Sequence, residues 1–458
     1  MKKHRIFPQF PRTLHRLGCA LGMALPIMGQ SALTAAVQLT DGLMLSRVGQ
    51  TQLAAASLAG QYMTLYQLCA MALGTGTGVL TARFHASGNL RNVHRAVTLL
   101  WRMELLLAAV FGLPGTLFPE NILRLFTADD RLISAGAGYL RLLWPSYFPL
   151  AISQGCSAVL RSVGRVNAPL LAGLLGFAVN FTLNLLLIFG HWGLPALGIA
   201  GAALGTDAAR WAEGLAIGGY FFFRDQTVGY GLRNLRMRCG GLTREYLRIC
   251  LPVLVSDGLL GLGNTVSAAI FGQMGGEVAA GSAVTLVVQQ LSGVLHHGIA
   301  GAAGIVIGRS LGRENREAAQ TQGWGFALLG GLVGLAATGL TVLVRLPLLR
   351  AYGVSPAAEE AARQIFTGMC LTLTARCLSG TLTKGVLRAG GDTAFVLAVD
   401  LGGLWLLSLP AASLWALVHH GSPLGTYVLL QADQFLKCFL CLWRLHSKKW
   451  MKRIFGCA

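Results

Sequence analysis

Residues 17–46 read LGCALGMALPIMGQSALTAAVQLTDGLMLS, and Asp41 is the only charged side chain among them. A helix that spans the hydrocarbon core of a bilayer needs about 20 mostly apolar residues. This segment is therefore long and apolar enough to cross a membrane as a helix. A carboxylate inside a span is costly, which makes Asp41 the first functional candidate of the chain.

The composition of the whole chain agrees with a membrane protein. The 458 residues are 54% hydrophobic and 12% charged, whereas a soluble globular protein has about 25% charged residues. This excludes an ordinary cytosolic enzyme and a disordered protein. The sequence predicts an all-α integral membrane protein with twelve transmembrane helices. The twelve candidate spans are residues 17–46, 53–82, 94–117, 133–160, 167–190, 196–223, 246–271, 279–308, 319–344, 358–387, 393–419 and 424–446.

The distribution of Lys and Arg predicts the orientation of the chain, whose formal net charge is +19. The two tails and the loops that follow even-numbered spans hold 26 of these residues, and the opposite loops hold 6. Cytoplasmic loops of membrane proteins carry the excess of Lys and Arg. Both termini are therefore predicted to be cytoplasmic. The positive charge reflects topology, and no nucleic-acid partner is expected.

The N-terminal basic residues lead directly into the first span without a clear small-residue cleavage site. We therefore expect this span to be retained and not removed as a signal peptide. Most of the ten cysteines lie inside spans or on the predicted cytoplasmic side, so no disulfide framework is implied. Neither a cofactor nor a protein-bound metal is expected.

The two halves of the chain repeat each other. Pairs of matching residues lie 226 positions apart, and they are Pro26 with Pro252, Gly49 with Gly275, Gly78 with Gly304, and Arg83 with Arg309. VLRSVGR at 159–165 also matches VLRAGGD at 386–392, now 227 positions apart. Six helices in each half make the repeat parallel. The predicted domains are an N-terminal lobe at 1–223, a basic cytoplasmic linker at 224–245, and a C-terminal lobe at 246–458.

Two such lobes are a common plan for transporters that work by alternating access. The alternative interpretation is a duplicated scaffold without transport, such as a receptor or an enzyme core.

Several motifs resemble the multidrug and toxic compound extrusion (MATE) family of transporters. The run LPIMGQSALTAAVQLTDGLMLSRVGQTQLAAASLA at 25–59 resembles the first-helix signature of that family. GRSLGRENREAAQTQGW at 308–324 resembles its loop after helix eight, and the two VLR motifs resemble its loops after helices four and ten. The resemblance implies twelve helices in two lobes.

The resemblance also implies the activity. The protein would be a secondary active antiporter of the plasma membrane, which in bacteria is the inner membrane, and it would act as a monomer. It would export amphipathic, cationic drugs or metabolites in exchange for H⁺, with Na⁺ as the alternative coupling ion. It would not be an enzyme.

The DinF-like branch of the family suggests the ion-coupling residues. By this resemblance its first-helix Asp is Asp41 and its first-helix Pro, the helix-bend residue, is Pro26. The remaining polar positions fall on Tyr139, Asn180 and Thr206.

One ion-coupling position departs from the family. Asn184 stands where the family usually has an Asp four residues after the helix-five Asn. An amide cannot carry a proton or supply charge to Na⁺, so Asp41 would be the group that binds the coupling ion. The NorM-like branch instead uses a Glu eight residues after the helix-seven Pro, and Leu260 occupies that position here.

Physical arguments support a role for Asp41. Burial disfavours the charged form of a carboxylate, so a carboxyl group in a span can bind and release protons near neutral pH. The helix can then rearrange around Pro26, where a backbone hydrogen bond is already missing. The alternative interpretation is that Asp41 is a wetted residue near the outer end of a long helix.

Other polar side chains in the spans form two groups. Asp207, Arg210 and Glu213 share one helix face at i, i+3 spacing, and Asp433 and Lys437 are four apart, so each set can neutralise itself. The second group contains the candidates for contact with the substrate, namely Asp257, Asp400 and Gln289.

Two other functions stay open at this point. One is a flippase for lipid-linked oligosaccharides or lipids with a related fold, although the acids in the spans leave no clear cationic excess. The other is a membrane-embedded transferase, which usually needs clustered carboxylates to hold Mg²⁺. Asp129 and Asp130 are adjacent, and their loop lies on the predicted external side.

Overall fold

The structure is a computed structural model that describes residues 10–127, 129–193, 195–352 and 355–453. Within these residues the chain is helical, without a strand, and it forms twelve long helical segments. These segments coincide with the twelve predicted spans to within several residues at each end. Seven of the described helices also meet criteria of length and hydropathy for crossing a membrane.

The first six segments, with an additional short helix at Pro119–Arg124, are as follows: α1 (Phe10–Ser46), α2 (Gln50–Ala86), α3 (Leu90–Leu117), α4 (Asp130–Leu142, continued by a 3-10 turn at Trp144–Ser146 and by Tyr147–Ser162), α5 (Asn167–Phe189) and α6 (Ile199–Gly219, extended by a π turn at Tyr220–Arg224).

The other six are α7 (Leu242–Gln273), α8 (Gly276–Gly312), α9 (Arg316–Tyr352), α10 (Pro356–Gly380, extended by a π segment at Thr381–Leu387), α11 (Thr393–Leu401, Gly402–Ser408, Leu409–Ser413 and Leu414–Val418) and α12 (Pro423–Leu430 and Ala432–His446).

The repeat is visible in the backbone at matching glycines. Gly49 and Gly275 precede α2 and α8 with φ of 157° and 127°. Gly164 and Gly391 lie in the turns after α4 and α10 with φ of 83° and 76°. L-residues rarely adopt these φ values because Cβ clashes with the backbone. Both halves therefore need glycine at the same points.

The described residues divide into two compact units, one of 10–29 with 263–453 and the other of 30–262. Both boundaries fall inside long helices, α1 and α7, and not in the predicted linker. The boundary in α1 comes three residues after Pro26, where a proline nitrogen cannot donate the helical hydrogen bond. The lobe limits at 223 and 246 stay a prediction.

The linker packs on α3 within the unit of 30–262. The Tyr230 hydroxyl lies 2.9 Å from Thr98 Oγ1, and the Arg102 guanidinium donates to the backbone carbonyl of Met237 at 3.0 Å. Burial raises the pKa of Tyr230 to about 12. The linker is therefore an ordered part of this unit.

Candidate functional site

Asp41 lies in the second half of α1 and accepts hydrogen bonds from α5. Asn184 Nδ2 donates to Asp41 Oδ1 at 2.6 Å, and it lies 3.4 Å from Asn180 Oδ1. Asn180 also hydrogen-bonds to the Asp41 carboxylate. The two asparagines are buried and one turn apart on α5, so they present their amides to the same point. Asp41 itself is half-buried.

Helices α4 and α6 bring the other two predicted ion-coupling residues to the same place. The Tyr139 and Thr206 side chains are hydrogen-bonded to each other, and Tyr139 interacts electrostatically with Asp41. The structure thus brings the other four predicted ion-coupling residues together around the Asp41 carboxylate. These residues come from four helices, α1, α4, α5 and α6, of a single unit.

Arg210 is a neighbour of Asp41 that the sequence analysis missed. Its guanidinium interacts electrostatically with the Asp41 carboxylate, and its hydrogen bond goes to Glu213 Oε2 at 3.0 Å. Ser153 Oγ donates to the other Glu213 oxygen at 2.6 Å. Thr206 and Arg210 are four apart on α6, and this spacing places both side chains on one face. This i, i+4 spacing in the sequence could therefore have placed Arg210 beside the predicted site.

Asp207 corrects the prediction of a self-neutralising trio on α6. Only Arg210 and Glu213 pair, whereas the buried Oδ1 of Asp207 has no hydrogen-bond partner among the described residues. Residues i and i+3 lie near each other on a helix, but a short Asp side chain does not always reach. The cluster is therefore one ion pair and a separate carboxyl group.

Glycines allow α5 and α6 to approach closely beside the site. A Cβ at Gly205 would collide with Oδ1 of Asn184, and a Cβ at Gly201 would collide with the carbonyl of Leu187. Small residues let helix backbones come together in membranes, where van der Waals packing drives association. Gly205 thus fixes how near the Asn184 amide stands to α6.

The other predicted residues lie on α7, α8 and α11. Asp400 on α11 is buried and accepts from Lys437 Nζ at 2.9 Å, and Asp433 accepts from the same ammonium at 2.8 Å. The predicted pairing of Asp433 with Lys437 is confirmed. Asp257 is buried on α7 within the unit of 30–262, and Gln289 on α8 contacts Arg376. Contact of these residues with substrate stays a prediction.

Glu104 on α3 is a second buried acid of the unit that contains Asp41. Neither of its carboxyl oxygens has a hydrogen-bond partner among the described residues. An ionised carboxylate is very costly to bury without a partner. Glu104 is therefore best explained as a neutral group. The position of this acid in the middle of an apolar span could have identified it from the sequence.

The site contains oxygen atoms but no preformed metal cluster. Among the described residues, no three His, Cys, Asp or Glu side chains are grouped so that they could hold a metal ion. The groups around Asp41 are amides, hydroxyls and one guanidinium. A single carboxylate with such neighbours can exchange a proton without the loss of a direct ion pair.

The sequence matches the family model MatE twice, over residues 26–186 and 242–414. It is 25% identical over 445 residues to a probable multidrug resistance protein NorM from Thermotoga maritima, with 94% of this chain and 92% of that protein covered. It is 24% identical over 399 residues to the multidrug resistance protein PmpM of Pseudomonas aeruginosa, with 85% and 82% covered. The double match confirms the parallel repeat.

Solved structures confirm the fold. The outward-facing structure of a multidrug resistance MATE family transporter of the MOP superfamily superposes with a TM-score of 0.85. The alignment covers 94% of this chain and 96% of that one, at 19% sequence identity. The twelve-helix membrane fold predicted from the sequence is therefore confirmed.

Proposed function

Because the chain belongs to the MatE family of membrane transporters, we propose that it is an antiporter that exports amphipathic, cationic drugs or metabolites in exchange for H⁺. Its relatives include multidrug resistance proteins, which supports the export of drugs. Membership in a transporter family removes the membrane-embedded transferase as an alternative. The bias of Lys and Arg supports cytoplasmic termini in a plasma membrane.

The environment of Asp41 carries the proposal of proton coupling. Its direct hydrogen-bond partners are the amides of Asn180 and Asn184, which stay neutral. Protonation of Asp41 removes a charge from the span and weakens the bonds that hold α1 to α5. Charge-assisted hydrogen bonds are about twice as strong as neutral ones, so the change is substantial.

Pro26 is the point at which α1 can bend when Asp41 is protonated. The proline removes one backbone hydrogen bond and lies three residues before the boundary between the two units. We infer that protonation of Asp41 releases the second half of α1 from α5 and lets α1 bend near Pro26. Substrate release and proton uptake would then alternate through one helix.

Asn184 favours H⁺ over Na⁺ as the coupling ion. Hard cations prefer charged oxygen ligands, and the site contributes one carboxylate. Replacement of the second acid by an amide leaves too little negative charge for a strong Na⁺ site, while a single carboxylate is sufficient for one proton.

The test is ethidium export by purified protein in proteoliposomes under a pH gradient or a Na⁺ gradient, imposed one at a time. We expect the pH gradient alone to drive export by the parent protein. Asp41→Asn should reduce coupled export at least about a hundredfold, in the range reported for loss of an essential proton-transfer group. Asp130→Asn, at an exposed acid at the start of α4, is the matched control and should export like the parent.

Coupling to Na⁺ would be shown by export that needs the Na⁺ gradient and ignores the pH gradient. Unchanged export by Asp41→Asn would contradict the role of this carboxylate. Size-exclusion profiles of both variants in detergent establish that they fold alike. Transbilayer movement of a labelled lipid in the same vesicles, without ethidium export, would favour the flippase alternative.

A further inference from the structure

Arg376 is a guanidinium on the membrane-spanning helix α10 with neutral partners only. It is half-buried, and the Gln289 carboxamide oxygen accepts from it with a distance of 3.1 Å to one guanidinium nitrogen. The Tyr427 hydroxyl of α12 is its other hydrogen-bond partner. Among the described residues, no carboxylate lies within ion-pair distance of Arg376.

Two other basic residues inside spans have carboxylate partners, which Arg376 lacks among the described residues. Lys437 touches two carboxylates, Asp400 at 2.9 Å and Asp433 at 2.8 Å. Arg210 pairs with Glu213 at 3.0 Å. A charged group within a span is costly and is usually paired. Arg376 is therefore a cation that lacks the compensating charge these two residues have.

Other basic side chains lie near Arg376. His296 on α8 interacts electrostatically with His297, Lys384 and Arg376, each of which is a base. The rings of His296 and His297 lie 4.3 Å apart. Helix α10 approaches α8 closely here, because a Cβ at Gly380 would be 2.9 Å from His296 Cδ2. The region between α8 and α10 is thus rich in basic side chains.

Asp433 on the neighbouring helix α12 is held by a different cation. Ser379 Oγ donates to Gln434 Oε1, and Gln434 Nε2 donates to Asp433, which connects α10 to the buried acids of α12. Asp433 is itself bound to Lys437. Asp433 is therefore paired with Lys437 and not with Arg376.

We propose that Arg376, supported by Gln289 and Tyr427, binds the carboxylate of those amphipathic substrates that carry one, and so determines how well the transporter accepts them. A guanidinium offers two parallel N–H donors that match the two oxygens of a carboxylate. Its half-buried position leaves it within reach of a ligand. This inference rests on the proposed export function and assigns the substrate class that its C-terminal half recognises.

The test uses two dyes that differ in one group. Rhodamine 110 carries a free carboxylate, and rhodamine 123 is its methyl ester. Export of each is measured in proteoliposomes of phosphatidylcholine with the parent protein, Arg376→Gln and Arg376→Lys. Arg363→Gln, at an exposed arginine of the same helix that pairs with Glu359, is the matched control.

We expect Arg376→Gln to lower the efficiency of rhodamine 110 export about tenfold, since one charge-assisted contact is lost, and to leave rhodamine 123 within twofold of the parent. Arg376→Lys should retain an intermediate efficiency, because lysine keeps the positive charge but lacks the two parallel N–H donors of the guanidinium. Arg363→Gln should change neither dye. Equal losses for both dyes, or no loss for either, would overturn the inference.

Binding of the dyes to purified protein separates this inference from the proposed function. If the parent exports neither dye under any gradient, the export proposal fails, and the subsite still stands when Arg376→Gln raises the Kd of rhodamine 110 alone. A parent that binds and exports rhodamine 123 but not rhodamine 110 would refute the subsite. Displacement of bound rhodamine 110 by added phosphatidylglycerol would assign Arg376 to a lipid headgroup and also refute it.

Discussion

Asp41 and Asp400 are both acids on membrane-spanning helices, yet they have opposite kinds of partner. Asp41 accepts from the Asn184 amide at 2.6 Å, and no described Lys, Arg or His forms a direct ion pair with it. Asp400 accepts from the Lys437 ammonium at 2.9 Å and shares it with Asp433. A carboxylate held by amides can be protonated without leaving a buried cation unpaired. A carboxylate held by an ammonium cannot, because its protonation leaves a buried cation less well paired.

This difference in partners indicates different roles for the two clusters of charged residues. The Asp41 cluster is arranged for a change of charge, and the cluster of Asp400, Asp433 and Lys437 is arranged to hold α11 and α12 together. The following predictions test this division, from the largest expected effect to the smallest.

Lys437→Met should cause the largest loss of stability. It leaves two carboxylates buried without their cation, and removal of one partner from a buried ion pair costs about 3–5 kcal/mol. Thermal unfolding in detergent measures this loss. Lys449→Met, at an exposed lysine, is the control and should stay within about 0.5 kcal/mol of the parent.

A triple variant sharpens the same prediction. Asp400→Asn and Asp433→Asn combined with Lys437→Met remove the whole cluster, and replacement of all charges of a buried pair is often neutral. We expect this variant to be more stable than Lys437→Met alone. An equally unstable triple variant would mean that packing, and not charge, holds the two helices.

Gly205→Ala should cost about 1–3 kcal/mol, because the added methyl group collides with the Asn184 amide and overpacks the α5–α6 contact. It should also weaken proton-driven export, since the amide can no longer keep its position against Asp41. Gly219→Ala on the same helix is the control, because nothing lies within 4 Å of its Cβ position. If both substitutions behave alike, Gly205 does not position the site.

The course of the chain could be predicted well from the sequence. Helix α1 ends at Ser46 as predicted, and the paired glycines at 49 and 275 occupy the same turn in both halves. These features are local, because a span needs only length and hydropathy and a positive φ needs only glycine. The helical spacing of Asp433 and Lys437 likewise predicted their ion pair.

Contacts between helices could be predicted only where spacing or family resemblance supplied them. The cluster around Asp41 came from resemblance, and its geometry depends on the approach of α5 to α6. The sharing of Lys437 with Asp400 and the neutral partners of Arg376 depend on how separate helices pack. No pattern along one helix contains that information.

Asn184→Asp should give the smallest effect in free energy and the most direct test of what distinguishes the two acids. The substitution places a second carboxyl group beside Asp41, at the position where the amide nitrogen is now 2.6 Å away. Two carboxylates cannot both stay charged at that distance unless a cation lies between them. The variant should therefore gain affinity for Na⁺, a hard cation that prefers charged oxygen ligands.

We expect a Na⁺ gradient to drive ethidium export by Asn184→Asp about tenfold faster than by the parent, which corresponds to about 1.4 kcal/mol of added Na⁺ affinity. Asn167→Asp, at the start of the same helix and outside the Asp41 cluster, controls for the added charge. Transport that stays insensitive to Na⁺ in Asn184→Asp would show that charge at this position does not select the ion. The oxygen atoms of Tyr139 and Thr206 would then be the next groups to consider, because they complete the shell around Asp41.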